Sequence, residues 1–243
     1  MRRRTSRASE QQPGPYTLTG TNSWIVGRDP AYVIDPGPAL PDHIDALLGE
    51  LEARGPTGAI LLTHGHSDHA QAAPILRERT GAPVAALDPG ADLVLADAVT
   101  VGPLTTVATP GHAPDHAVFL LGGICFSGDL VLGTGSVIVS PEPGSMVAYM
   151  ASLARLQALE LELIGPGHGP LITDPAAKLD QYVAHRVERE RQVLAALADG
   201  LRDRDELLDR VWPAVSAELR PGAAATLAAT LDKLGADGRL PPA

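Results

Sequence analysis

A single cysteine, Cys125, stands in the 243 residues, so no intrachain disulfide can staple the fold. It lies in the apolar run Gly123-Ile124-Cys125-Phe126, where a buried, inert thiol in a reducing compartment is expected. Aromatic residues are only 3% of the chain, so aliphatic side chains must fill the core, and unpaired bases would find few rings to stack on. Positive charge is also scarce: Lys and Arg number 19 against 29 Asp and Glu, for a formal net charge of −10. Such a balance disfavours nucleic acid as a partner without forbidding a local basic patch. No apolar run approaches the roughly 18 residues that cross a bilayer. The start carries Arg2, Arg3, Arg4 and Arg7 but continues into polar Ser9-Glu10-Gln11-Gln12-Pro13 rather than the apolar segment of a secretory signal. Residues 1–13 are therefore expected to form a disordered tail and the protein to be cytoplasmic. Hydrophobic residues make up 44%, enough for a sizeable core, and 243 residues can hold one large domain, or one plus a small appendage.

The chain first reads as a hairpin, Trp24-Ile25-Val26-Gly27 and Tyr32-Val33-Ile34-Asp35, turning at Arg28-Asp29-Pro30. Asp35 ends the second strand, where it either holds the far nitrogen of a ligating histidine or caps a turn. Ile44, Leu47, Leu48 and Leu51 recur at helical spacing, with His43 expected on the solvated face. Further strands are expected at 83–86, 104–108, 118–121, 124–127 and 161–164. Residues 87–104 read as loop, with Asp88, Asp92 and Asp97 given no role. Residues 130–144 form a Gly-, Ser- and Pro-rich loop suited to a substrate wall. Ser145 is placed as N-cap of a helix over 146–158. A long helix is expected over 174–198, then shorter ones over 201–211 and 223–235, broken by Pro213 and Pro221-Gly222, with a strand starting at Gly238-Arg239-Leu240.

The densest chemistry lies in Thr63-His64-Gly65-His66-Ser67-Asp68-His69-Ala70, between the apolar run 59–62 and the amphipathic run 70–79. A buried strand should end there in a loop that opens a helix. His64 and His66 are two apart and face the same way in extended backbone, while Asp68 and His69 start the helix and turn elsewhere in the same space. A polar turn that happens to carry histidines is the bland alternative, but imidazole and carboxylate together suit zinc, manganese or iron. His112 and His168 repeat the pattern of apolar strand, glycine turn, histidine. Asp129 follows Gly128 at another strand end, where a carboxylate can bridge two cations. His116 begins a strand in a structural or supporting role. Five of the eight histidines thus fall in one ordered set. It sorts into His64, His66 and His112 for one ion, and Asp68, His69 and His168 for a second, with Asp129 shared. Room left for water on each ion marks a catalytic rather than a structural site, with a shared hydroxide as nucleophile and Asp68 orienting it.

His64-x-His66-x-Asp68-His69, followed in order by His112, Asp129 and His168, resembles the signature of the metallo-β-lactamase superfamily over about residues 16–172. The resemblance implies a four-layer αβ/βα sandwich with metals at one edge. An aspartate at 129, where the true β-lactamases use a cysteine, is similar to the branch containing glyoxalase II and ribonuclease Z. Within it, Gly20-Thr21-Asn22-Ser23-Trp24, Gly128-Asp129-Leu130-Val131-Leu132-Gly133, Pro166-Gly167-His168-Gly169-Pro170 and Tyr182-x-x-His185-Arg186 resemble the β-lactamase-like protein 2 group. That likeness implies a catalytic domain over 14–172, a linking helix over 173–199 and a small winged-helix-like domain over 200–243.

The expected enzyme is a dinuclear hydrolase with two Zn²⁺ per chain, or Mn²⁺ or Fe²⁺, acting on a small ester or thioester. A single-strand endoribonuclease, the activity of an animal member of the group, is the alternative. The C-terminal stretch 200–243 opposes it with six basic residues against seven acidic ones. An interaction module on a dead site is a third reading, opposed by the intact ligand set. His185 is a candidate proton donor and Arg186 an anion clamp, with a surface pair on the helix as the plain alternative. No membrane partner is expected.

Overall fold

The computed structural model describes residues 5–9, 14, 16–18 and 20–241. One sheet has six strands in sequence order: β1 (Thr5–Ser9), β2 (Asn22–Gly27), β3 (Ala31–Ile34), β4 (Thr57–Leu61), β5 (Val84–Ala86) and β6 (Leu93–Val94). β1 to β3 pair antiparallel and β3 to β6 parallel. The second sheet, in the order β11-β10-β9-β8-β7, holds β7 (Thr100–Val101), β8 (Leu104–Ala108), β9 (Ala117–Leu121), β10 (Ile124–Gly128) and β11 (Leu163–Pro166). Only β10 and β11 pair parallel there. The helices are α1 (Pro41–Glu52), α2 (Ser67–Ala70), α3 (Ala73–Thr80), α4 (Ser145–Gln157), α5 (Pro175–Ala198), α6 (Arg204–Val211) and α7 (Arg220–Ala236).

The layering follows from the two-residue period of the strands. In the first sheet Trp24, Val26, Ile34, Ala59 and Leu61 turn inward and meet Leu104, Phe119 and Phe126 of the second. Trp24 and Phe126 stack tilted across the interface at 5.6 Å between ring centres. The alternate residues Ile25, Val33 and Ile60 turn outward against Leu47 and Leu51 of α1 and Leu76 of α3. On the far side Val118, Cys125 and Ile164 pack under Tyr149 and Leu153 of α4 and Leu179 and Tyr182 of α5. Helices, sheet, sheet and helices make the four-layer sandwich that the resemblance implied. A separate cluster gathers Val193 and Leu197 of α5, Leu207 and Val211 of α6, and Leu227 and Leu234 of α7.

Several expectations change. Thr5–Ser9 pairs along β2 inside the stretch read as a disordered tail; residues 1–4, 10–13 and the rest of the undescribed N-terminal positions lie outside the described residues. His43 is buried, not solvated: its Nε2 lies 2.9 Å from the Pro36 carbonyl and 3.1 Å from Ser23 Oγ. Ser145 is the first residue of α4 and caps nothing; Gly144, at φ 82°, takes the N-cap position that few other residues could adopt. Pro221 and Gly222 lie inside the first turn of α7, where proline is tolerated. Two short strands, β6 and β7, punctuate the loop 87–104, and there Asp92 and Asp97 pair with Arg77 and Arg155. Gly238–Leu240 turns instead of forming a strand, so the C-terminal stretch has two helices and no wing among the described residues.

Candidate metal centre

Asp35, His64, His112, Asp129 and His168 all follow β-strand ends (β3, β4, β8, β10 and β11) that open at one edge of the sandwich. The chain bends at Thr63 and His64, and His66, itself extended at φ −62° and ψ 143°, stands just before α2. That geometry carries His64 and His66 to one side, with His64 Nε2 2.9 Å from His66 Nδ1. His112 Nε2 closes the group at 3.1 Å from His66 Nδ1. The short helix then swings Asp68 and His69 toward His168: His69 Nε2 lies 3.3 Å from His168 Nε2, and Asp68 Oδ2 3.2 Å from the same atom. Asp129 stands between the groups. Its Oδ1 is 3.5 Å from His69 Nε2 and 3.4 Å from His168 Nε2, while Oδ2 is 3.7 Å from His112 Nε2.

Ligands at about 2.0–2.1 Å from a tetrahedral ion lie roughly 3.3 Å from one another. The donor separations here fit that spacing. Three groups each converge tightly enough to hold an ion: His64, His66 and His112; His64, His69 and Asp129; Asp68, His69 and His168. The buried Asp129 Oδ1 has no hydrogen-bond partner among the described residues, a cost that a cation would relieve. The donor set of imidazoles and carboxylates therefore fits a pair of divalent ions.

Each imidazole but one is fixed through its other nitrogen, which leaves Nε2 for the centre. His69 Nδ1–H donates to Asp35 Oδ2 at 2.9 Å, His112 Nδ1–H to the Ile138 carbonyl at 2.8 Å, and His168 Nδ1–H to the Gly20 carbonyl at 3.1 Å. His64 Nδ1–H donates to Thr63 Oγ1 at 3.0 Å, and that hydroxyl donates onward to Asp35 Oδ2 at 2.8 Å. Asp35 also accepts the Thr63 amide at 2.7 Å. Of the two roles open to Asp35 in the sequence, it holds a histidine. His116 does the same for backbone: its Nε2 accepts the Asp129 amide at 3.2 Å, and its Nδ1–H donates to Thr109 Oγ1 at 2.9 Å.

Charge in the cluster is uneven. Burial drives His64 and His116 well below the ordinary imidazole range, and His112 below it. Burial opposes charge on His69 and His168 too, but Asp129 overcomes it, with Asp35 helping at His69 and Asp68 at His168. His69 ends well above its usual range and His168 is pushed up to about 9. Burial would raise Asp129, yet charge on His69 and His168 holds it well below a normal carboxyl. Buried carboxylates thus collect positive charge from two imidazoles, the charge that a divalent ion would supply in their place.

Two glycines make room. A Cβ on Gly167 would sit 2.6 Å from Asp129 Oδ1 and 2.7 Å from His69 Cε1. Gly128, at φ 46°, has Thr63 where its Cβ would fall. Three supports have no local signal in the sequence. Thr63 relays between His64 and Asp35, Asp115 Oδ2 accepts the Gly65 amide at 2.9 Å, and Asn22 Nδ2 donates to the Pro166 and Gly169 carbonyls, each at 2.9 Å. Asn22 was visible only as part of a family-like motif.

The donors His66, Asp68, His112, Asp129 and His168 open into a cleft of about 390 Å³, whose other lining is mostly apolar, with Leu132, Val137, Ile138 and Leu219, and includes the neutral Thr134 and Ser136. No Lys or Arg lines it among the described residues. His185 does not join the converging donors. Burial, reinforced by Arg186 and Arg189, lowers its pKa to about 4, so it is neutral; its Nε2 accepts from Arg189 at 3.3 Å, and Nδ1 faces Ser136 Oγ at 3.5 Å, behind the cleft wall. Arg186 is neither an anion clamp in the cleft nor a surface residue: it is buried, packs over the Tyr149 ring and donates to the Val137 carbonyl at 2.5 Å.

Residues 16–97 match the family model described as the metallo-beta-lactamase superfamily. A beta-lactamase-like protein 2 homolog of Drosophila melanogaster is 31% identical over 257 residues, covering 94% of this chain and 86% of that protein. The lactamase-like protein adaB of Aspergillus niger is 36% identical over 201 residues, covering 76% of this chain. The match spans 61% of adaB, about three-fifths of its length. An atrochrysone carboxyl ACP thioesterase, nsrC of Aspergillus novofumigatus, is 32% identical over 82% of this chain and 65% of its own. Among solved structures, a metallo-beta-lactamase family protein of Thermus thermophilus superposes with a TM-score of 0.79 at 24% identity, covering 96% of this chain and 94% of the other.

Proposed function

This chain belongs to the metallo-β-lactamase superfamily of hydrolases, and from that premise we propose that it cleaves a small ester or thioester with two divalent ions, zinc first among them. The observation that carries this reading is the pair of donor groups around Asp129, with its two oxygens turned to different histidines, beside a cleft with an apolar wall and no Lys or Arg. His64, His66 and His112 would hold one ion, Asp68, His69 and His168 the other, and Asp129 both. When bound, the ions would bring the pKa of coordinated water to about 7 and polarise the substrate carbonyl.

The protein's own groups set up the rest. Asp35, Thr63 and the Gly20 and Ile138 carbonyls fix which imidazole nitrogen faces the centre. Asp68 lines the cleft and is partly exposed. Burial works to raise its pKa, but the hydrogen bond to His168 outweighs it, so Asp68 is a carboxylate able to orient an attacking water and accept its proton. His185 reaches the cleft only through Ser136; it positions the wall and donates no proton to substrate. The thioester preference is favoured by the named activity of nsrC, and the uncharged wall opposes a polyanion such as RNA. Zinc-loaded protein should hydrolyse members of a short acyl thioester and ester panel and leave a labelled single-stranded RNA intact. Cleavage of the RNA with no acyl hydrolysis would overturn this reading in favour of an endoribonuclease.

A further inference from the structure

We infer that the apolar wall of the cleft is an acyl-chain subsite, and that Leu219, delivered by the C-terminal helices, sets the length of chain it takes. The inference rests on the hydrolase reading above and names the substrate for it: an uncharged, apolar acyl group whose carbonyl lies at the metal donors and whose carrier leaves by the open mouth.

The wall is built from two distant parts of the chain. Leu132, Val137 and Ile138 come from the loop after β10, and Leu219 from the residue that N-caps α7. Tyr16 joins them at the rim, its hydroxyl donating to the Glu218 carbonyl at 2.7 Å. The two parts touch closely enough that a Cβ on Gly222 would fall 2.5 Å from Ile138 Cδ1 and 3.3 Å from the Tyr16 ring.

The loop is held as a rigid surface. One face of α5 grips it at helical spacing: Lys178 Nζ donates to the Gly133 carbonyl at 3.1 Å, and the Tyr182 hydroxyl accepts the Leu132 amide at 2.9 Å and donates to the Gly135 carbonyl at 3.1 Å. Arg186 holds the Val137 carbonyl one turn on. Beyond Ile138, the Val139 amide donates to Thr226 Oγ1 of α7 at 3.3 Å, and the Gly144 amide to Asp232 at 2.8 Å. The Ile138 carbonyl itself accepts from His112, so this wall residue is hydrogen-bonded to a donor of the centre. A wall of Leu132, Val137, Ile138 and Leu219, with neutral Thr134 and Ser136 between them, fixed in this way discriminates by volume. Because Lys178 and Arg186 grip the loop's carbonyls and do not line the cleft, a second carboxylate on the acyl chain would be left unpaired.

The test uses the full-length zinc-loaded protein and straight-chain acyl thioesters of one thiol, from two carbons upward, with a succinyl thioester set against its uncharged butyryl counterpart. Wild-type kcat/KM is expected to rise about fourfold per methylene until the wall is filled, and the butyryl ester to be preferred over the succinyl. Leu219→Trp should move the optimum to shorter chains and Leu219→Ala to longer ones, each with wild-type zinc content and Tm within a few degrees. A flat chain-length profile in the wild type, a preference for the succinyl ester, or an optimum that both Leu219 variants leave in place would overturn the subsite while the hydrolase reading stood. Absence of any ester or thioester hydrolysis would overturn the hydrolase reading itself, and the subsite with it.

Discussion

Replacing Asp35 with Asn removes one negative charge and almost no volume, yet it should cripple half of the metal centre. Asp35 is buried and accepts three hydrogen bonds: the Thr63 amide on Oδ1, and the Thr63 hydroxyl and His69 Nδ1–H on Oδ2. An asparagine has one oxygen to offer. With its oxygen toward His69 and the Thr63 hydroxyl, the amide NH₂ faces the Thr63 N–H at what is now 2.7 Å. With the amide turned over, NH₂ faces His69 Nδ1–H and drives the proton to Nε2, the nitrogen that should bind metal. Either orientation sets donor against donor in a buried place, at a cost of about 1–3 kcal/mol. The backbone is no obstacle, since the φ of 49° at this position suits Asn as well as Asp. Losing a group that orients a metal ligand weakens binding by roughly 10–100-fold, or about 1.4–2.8 kcal/mol. Competition with a zinc chelator, with zinc content measured after dialysis at fixed free zinc, reads the effect directly. The site of His69 is expected to weaken by that factor, and the site of His64, tied to Asp35 only through the Thr63 hydroxyl, to weaken less. Two sites of wild-type affinity in a folded Asp35→Asn protein would refute the orienting role of Asp35.

Asp129→Ala should lose both bound metal and hydrolysis, because each donor group loses its shared carboxylate; elemental analysis and the thioester assay check it, and an active, metal-replete variant contradicts the bridge. Gly167→Ala should lower metal content without touching a ligand, since its Cβ would fall within 2.7 Å of both Asp129 and His69. In the ion-free protein, charge on His168 stabilises the fold fully below about pH 6.5, and that contribution is lost as pH rises through about 9. The Tm of chelator-treated protein should therefore fall between those values while that of zinc-loaded protein holds, as thermal scans across the range would show. Zinc uptake at pH 7.5 should release protons from His69 and His168, seen as buffer-dependent heats in calorimetry. Tyr182→Phe leaves the buried Leu132 amide without its partner and should cost about 1–3 kcal/mol in denaturant unfolding.

Much of the fold was legible because its signal is local. Alternation at Trp24, Ile25 and Val26 sorted side chains to two faces, and the structure buries one set between the sheets and the other beneath helices. The loop 63–70 could be read because three histidines and an aspartate crowd between an apolar strand and an amphipathic run, although the chain bends at Thr63 and His64 instead of staying extended to His66. What escaped depends on contacts between distant residues. Thr63 is one hydroxyl among many until Asp35, 28 positions earlier, closes on it. Asp115 has no pattern around it, and only the fold brings it to Gly65. His43 was expected on the solvated face, but it stands four residues before Leu47, on the buried face of α1, where Ser23 and the Pro36 carbonyl meet it. His185 is the reverse case: its motif was clear, and the fold sets it against Ser136 of the cleft lining, apart from the converging donors.

Two ions sharing Asp129 are the core of the proposed chemistry, and anomalous diffraction at the zinc edge from zinc-loaded crystals tests that sharing most directly. Two anomalous peaks roughly 3.5–4 Å apart are predicted, one among His64, His66 and His112, the other among Asp68, His69 and His168, with an Asp129 oxygen on each. A single peak at full occupancy, or two peaks neither of which contacts Asp129, would contradict it.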